Sequence, residues 1–145
     1  MAVLLGGRAA ESLIFDHVST GAADDLVKVT DIARSMVVKY AMVSDLGHVA
    51  LDTEPPTFLG VISPEARRPY SEDTAQKVDR AVRALCQSAF DRARSVLSDN
   101  RALLAEAAAA LLAKETLSEG DLAGFFARVK KPEARATSSG VEEPS

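Results

Sequence analysis

Between Ser71 and Leu97 the apolar residues Val78, Ala81, Val82, Leu85, Ala89, Ala93 and Val96 recur at helical spacing, which keeps them on one side of a single α-helix. Ser71 is placed to cap its N-terminus, and Glu72 and Asp73 complement the helix dipole. At 1.5 Å per residue that is about 39 Å of helix. The composition agrees with a helical chain. Ala and Leu abound, aromatic residues make up 5% and Trp is absent, a bias that favours packed helices over strands.

Helical patterning extends to both sides of this stretch. From Ala2 to Phe15 the residues Val3, Leu4, Leu5, Ala9, Leu13 and Ile14 mark a first helix, interrupted by Gly6 and Gly7. Two adjacent glycines there signal either a neighbouring element packed very close or a frayed start. After a loop from Asp16 to Ala22, a second helix is expected from about Ala23 to Ala41, with Leu26, Val29, Ile32, Ala33, Met36, Val37 and Tyr40 along one side. Ser19 and Thr20 can accept hydrogen bonds from its free N–H groups. Residues 42–70 read as irregular, with at most one small β-hairpin formed by 48–53 and 57–63 around Glu54, Pro55 and Pro56. Beyond the break at Ser98, Asp99 and Asn100, the residues Leu103, Leu104, Ala107, Ala108, Leu111 and Leu112 stripe another helix. Thr116 with Glu119, and Ser118 with Asp121, each fit a capping box for a short terminal one. The fold class is all-α, with one domain over residues 1–130 and a disordered tail over 131–145.

Several function classes drop out early. A net charge of −4 gives no electrostatic case for nucleic acid. No apolar run reaches the ~18 residues that span a bilayer, and MAVLLGGRAAE lacks the basic start and cleavage site of a signal peptide, so the chain as given is expected to be soluble. The single cysteine, Cys86, cannot form an internal disulfide; in a helical pattern it reads as a buried, inert thiol in a reducing compartment. His17 and His48 are the only histidines, so the 145 residues contain no H-E-x-x-H zinc pair. Nor is there a G-x-S-x-G elbow or a phosphate-binding glycine loop. The adjacent acids Asp24 and Asp25 read first as helix-start residues that complement the dipole.

Six segments change that reading when taken in order. LLGGRAAESLIF (4–15), VSTGAADDL (18–26), TDIARSMVVKY (30–40), FLG (58–60), YSEDTAQKVD (70–79) and KETL (114–117) together resemble the C-terminal half of an FtsH-type ATP-dependent zinc metallopeptidase. The resemblance covers about residues 2–128. It implies a helical, bundle-like peptidase domain, preceded in the family by an AAA+ ATPase module and N-terminal membrane spans. Zinc in that family is held by two histidines of an H-E-x-x-H helix, whose Glu is the general base, and by one aspartate further along.

Matched onto VSTGAADDL, the resemblance implies that Asp25 is the metal ligand, while Asp24 stands where the family has Asn. It also implies Zn2+ only where an H-E-x-x-H segment is supplied, ATP in the parent enzyme's AAA+ module, polypeptide substrates, and either homo-oligomers that are hexamers in the family or a complementing ATPase/protease half. The expected location is the cytoplasm, or the cytoplasmic face of the membrane in a full-length enzyme. One carboxylate cannot hold zinc tightly, since a catalytic site needs about three protein ligands and an open position. The chain alone is therefore expected to be inactive; the alternative is a free-standing, catalytically dead helical module with an interaction or regulatory role. Ala41 replaces the glycine that could end the second helix in a left-handed conformation, and His48 replaces a proline. His48 and His17 are expected to be loop histidines rather than ligands. Glu11 stands where the family has an acidic residue near the site, open to a supporting role there or to a salt bridge with Arg8. The close-packing reading of Gly6 and Gly7 gains a candidate neighbour, the metal-binding helix, without which an apolar face would be left uncovered.

Overall fold

The apolar stripe beyond Ser71 forms one unbroken helix of 28 residues. A computed structural model describes residues 1–15, 19–51 and 70–131 of the chain. In chain order its α-helices are α1 (Gly6–Ile14), α2 (Ala23–Val38), α3 (Glu72–Asp99), α4 (Arg101–Lys114) and α5 (Glu119–Phe126). No strand forms among the described residues, so the fold is all-α. The hairpin expected from 48–53 and 57–63 lies outside the described residues from position 52 onward, as does the tail beyond Lys131. The chain divides into two compact units, Met1–Leu97 and Ser98–Ser145.

The first unit has a core of small side chains. Ala33, Val37 and Val38 of α2 pack with Val78 and Val82 of α3, and Met1, Val43, Leu46, Leu51, Ala81, Leu85 and Cys86 close around them. Leu5, Ala9, Val29, Ala75 and Ala93 are buried as well. The buried positions of α3 are thus on its expected face, and Ser71 Oγ caps the helix by accepting the Thr74 N–H at 3.3 Å. Of the stripe expected for the second helix, Ile32 on α2 is exposed, and Tyr40, beyond the end of α2, is 65% exposed.

Two helix boundaries differ from the periodic reading. α1 begins at Gly6 rather than Ala2, after a turn in which Leu5 N–H donates to the Met1 carbonyl at 3.1 Å and Gly6 N–H to Val3 at 3.0 Å. The two glycines therefore open the helix, and a Cβ on either would meet nothing within 4 Å. Within the described residues no neighbour comes close enough to either position to require glycine. α2 ends at Val38 rather than Ala41 because the chain reverses there. Tyr40 N–H returns to the Ser35 carbonyl at 3.2 Å, Met42 N–H to Met36 at 3.0 Å, and Ala41 adopts φ +48°. The reversal sends Val43, Leu46 and Leu51 back onto the core, and Leu51 N–H donates to the Val38 carbonyl at 2.8 Å.

The second unit is held differently. Neither α4 nor α5 has a fully buried residue. The stripe expected on α4 is only half covered: Leu103, Leu104 and Ala107 are half-buried, whereas Ala108, Leu111 and Leu112 are exposed, Leu112 at 84%. Polar contacts close the unit instead. Ser118 and Asp121 form the capping box that starts α5, Lys114 reaches Asp121 at 2.6 Å, and Arg128 takes Glu106 bidentately at 2.7 and 2.5 Å. The Asn100 side chain clasps the backbone of Lys130 through both its oxygen and its nitrogen, at 2.8 and 3.0 Å.

Candidate functional site

Asp25 lies in the first turn of α2, beside Asp24. Both carboxylates meet the positive end of the helix dipole. The Asp25 side chain is 41% exposed, and its Oδ1 stands 3.8 Å from Nζ of Lys28, a residue more exposed still. An exposed i,i+3 pair at that distance contributes under about 1 kcal/mol and leaves the carboxylate free to take a stronger partner. As a donor to zinc it suits one coordination position, an oxygen on a helical mount. Among the described residues no three His, Cys, Asp or Glu side chains come together, so the structure does not gather the rest of a coordination sphere there.

The mount itself is built upstream of the helix. α2 has Ala22 at its N-cap and no side-chain cap of its own. Ser19, in extended conformation, caps instead the 3-10 turn Thr20–Ala22 by accepting the Gly21 N–H at 3.2 Å, and Ala23 N–H closes the turn onto the Thr20 carbonyl. The expectation that Ser19 and Thr20 cap the second helix directly is corrected here: one 3-10 turn intervenes, because Ser19 lies too far upstream to reach the first N–H groups of α2.

Glu11, in the second turn of α1, reaches across to this same serine. Its Oε2 accepts the Ser19 N–H at 3.0 Å, and its Oε1 accepts the Ser19 hydroxyl at 2.7 Å. Neither role open to Glu11 in the sequence, support at the site or a salt bridge with Arg8, names this contact. No spacing rule connects two residues eight positions apart, which is why the pairing is invisible in the sequence.

The remaining candidates do not join Asp25. His48 is exposed and follows Gly47, whose φ of +68° turns the chain. His17 lies outside the described residues. Cys86 is half-buried rather than buried, packs against the core of the first unit, and burial pushes its thiol above the usual range. Other displaced titrations belong to ion pairs away from Asp25. Asp73 is lowered by Lys77, Glu106 by Arg128, and Asp121 is lowered to about 2 by hydrogen bonds from Lys114 and Ser118. No helix among the described residues is long and apolar enough to cross a membrane.

Comparison with known proteins extends the pattern beyond these contacts. The model of peptidase family M41 matches residues 1–124. An ATP-dependent zinc metalloprotease FtsH from Paraburkholderia phymatum is 52% identical over 131 residues, which cover 89% of this chain and 20% of that protein. The protein of the same name from Pseudomonas putida is 42% identical over 133 residues, covering 91% of this chain and 22% of its own. One from Thermus thermophilus is 40% identical over 118 residues, covering 81% and 18%. The chain spans about a fifth of the length of the curated relatives it matches.

Proposed function

The chain belongs to peptidase family M41, and from that membership we propose that its residues form the C-terminal part of the peptidase domain of an FtsH-type ATP-dependent zinc metallopeptidase. In this reading Asp25 is the third protein ligand of the zinc. The two histidines and the general-base glutamate come from an H-E-x-x-H segment outside these 145 residues, and ATP acts in an AAA+ module that feeds polypeptide substrates to the site. The oligomer is a ring of such subunits. Zinc, when bound, acidifies its water and polarises the peptide carbonyl. This chain's own contribution is one carboxylate oxygen on a helix start, together with the α2–α3 packing that carries it.

The observation that supports the reading most is the position of Asp25. The family match runs through it, and the side chain is half-exposed on a helical mount with a long contact to Lys28. The 145 residues by themselves lack the donors for tight binding and are inactive in this reading. Zinc titration of the purified chain, with and without an H-E-x-x-H segment, tests it. Tight binding is expected only with the segment present, and Asp25→Asn is expected to weaken it by more than about 100-fold, beyond what loss of an outer-shell partner costs. Micromolar or tighter binding by the unsupplemented chain, or indifference to Asp25→Asn, would refute the proposal.

A further inference from the structure

We propose that Glu11 is the positioning residue for Asp25, fixing where α2 begins through the two hydrogen bonds it accepts from Ser19; the inference rests on Asp25 being a zinc ligand. Among the described residues no side-chain hydrogen bond caps α2 at Ala22. The chain from Thr20 to Asp25 is helical throughout, first 3-10 and then α, which leaves no slack between the Ser19 cap and the Asp25 carboxylate. Moving Ser19 moves Asp25.

Ser19 is held in two directions at once. Its hydroxyl accepts from Gly21 N–H at 3.2 Å and donates to Glu11 Oε1 at 2.7 Å, while its own N–H donates to Oε2 at 3.0 Å. Bonds to an ionised carboxylate are roughly twice as strong as neutral ones, and two of them orient the serine as well as tether it. The carboxylate is mounted on α1, where Ala9 is fully buried and Leu5, just before the helix, nearly so. The fixed core of the first unit is thereby connected to the helix start that bears Asp25. A metal site needs its ligands held within about 0.5 Å of the productive geometry, which a lone carboxylate on an uncapped helix does not achieve.

Amide hydrogen exchange on the full chain reads this without metal or activity. Glu11→Gln is expected to speed exchange of the amides from Gly21 to Leu26 by about tenfold and to leave those of α3 unchanged. Ser19→Ala, which removes the hydroxyl bond to Glu11 and the Gly21 cap but keeps the Ser19 N–H donor, should speed exchange there as well, and the double variant should fall short of the sum of the two, because the hydroxyl–carboxylate bond is lost in both. Should Glu11→Gln fail to fold by circular dichroism, Ser19→Ala carries the test. Unchanged exchange at 21–26, an equal rise in every helix, or strictly additive effects would overturn the proposal. Zinc titration with an H-E-x-x-H segment adds a second reading: Glu11→Gln should weaken binding by about 10-fold, as loss of an outer-shell support does. Equal affinity in wild type and variant refutes the positioning role. Absence of zinc binding by the wild type refutes the ligand assignment instead, and with it the purpose assigned to the tether.

Discussion

Ala41 holds a backbone conformation that its side chain disfavours. At φ +48° a residue with a Cβ pays roughly 1–2 kcal/mol that glycine does not. The reversal after α2 needs this conformation, because it returns Tyr40 and Met42 to the carbonyls of Ser35 and Met36. Ala41→Gly is therefore expected to stabilise the chain by about 0.5–1 kcal/mol, part of the relief being offset by the greater freedom of glycine in the unfolded state. A urea-unfolding midpoint that stays put or falls would contradict this. Asp25 and Glu11 show a different economy at the same scale. One carboxylate is left half-exposed with a long contact to Lys28, and the other is engaged at short range by Ser19. Residue type alone does not distinguish them; their partners do.

Among the elements, α5 depends most visibly on local polar chemistry. It is eight residues long and buries none of them fully, so its capping box and the Lys114–Asp121 pair bear unusual weight. Asp121 is lowered to about 2 by Lys114 and Ser118. A depressed carboxylate contributes stability above its unfolded pKa, near 4, and that contribution disappears as pH falls through the folded value. Amide protection in α5 is thus expected to decline between about pH 4 and pH 2, ahead of any loss in the middle of α3, as read by NMR. Protection of α5 that persists to pH 2 would refute the role of this carboxylate. The cap itself was legible: Ser118 and Asp121 stand three apart, and a capping box is a local motif. Thr116 with Glu119 satisfies the same spacing, yet the helix begins at Glu119, so Ser118 is the N-cap. The spacing rule offers both pairs and cannot choose between them.

For the whole molecule, the difference between its two units is one of burial. The first has a core in which the largest fully buried side chains are Val29, Val37 and Val78. The second has none in α4 or α5. Val78→Ala should destabilise the first unit by about 2 kcal/mol through lost burial and the cavity left behind. Leu112→Ala, at an 84% exposed position, should change the second by less than about 0.5 kcal/mol. Urea unfolding followed by residue-resolved NMR separates the two. Equal costs would mean that Leu112 is covered in solution.

The sequence by itself determined the helical class, the long α3 with its buried face, the Ser71 and Ser118 caps, and the family. These follow from spacings of two to four residues or from segments matched in order, which the chain carries wherever it is folded. Tertiary structure decided the rest. It set the end of α2, because the return of Val43, Leu46 and Leu51 to the core draws the chain back after Val38. It turned Leu111 and Leu112 outward, since an alanine-rich helix offers several similar faces and only a neighbour selects one. It also joined Glu11 to Ser19 across eight positions. Such a contact depends on where two helices come to rest, and no periodicity along the chain encodes that distance.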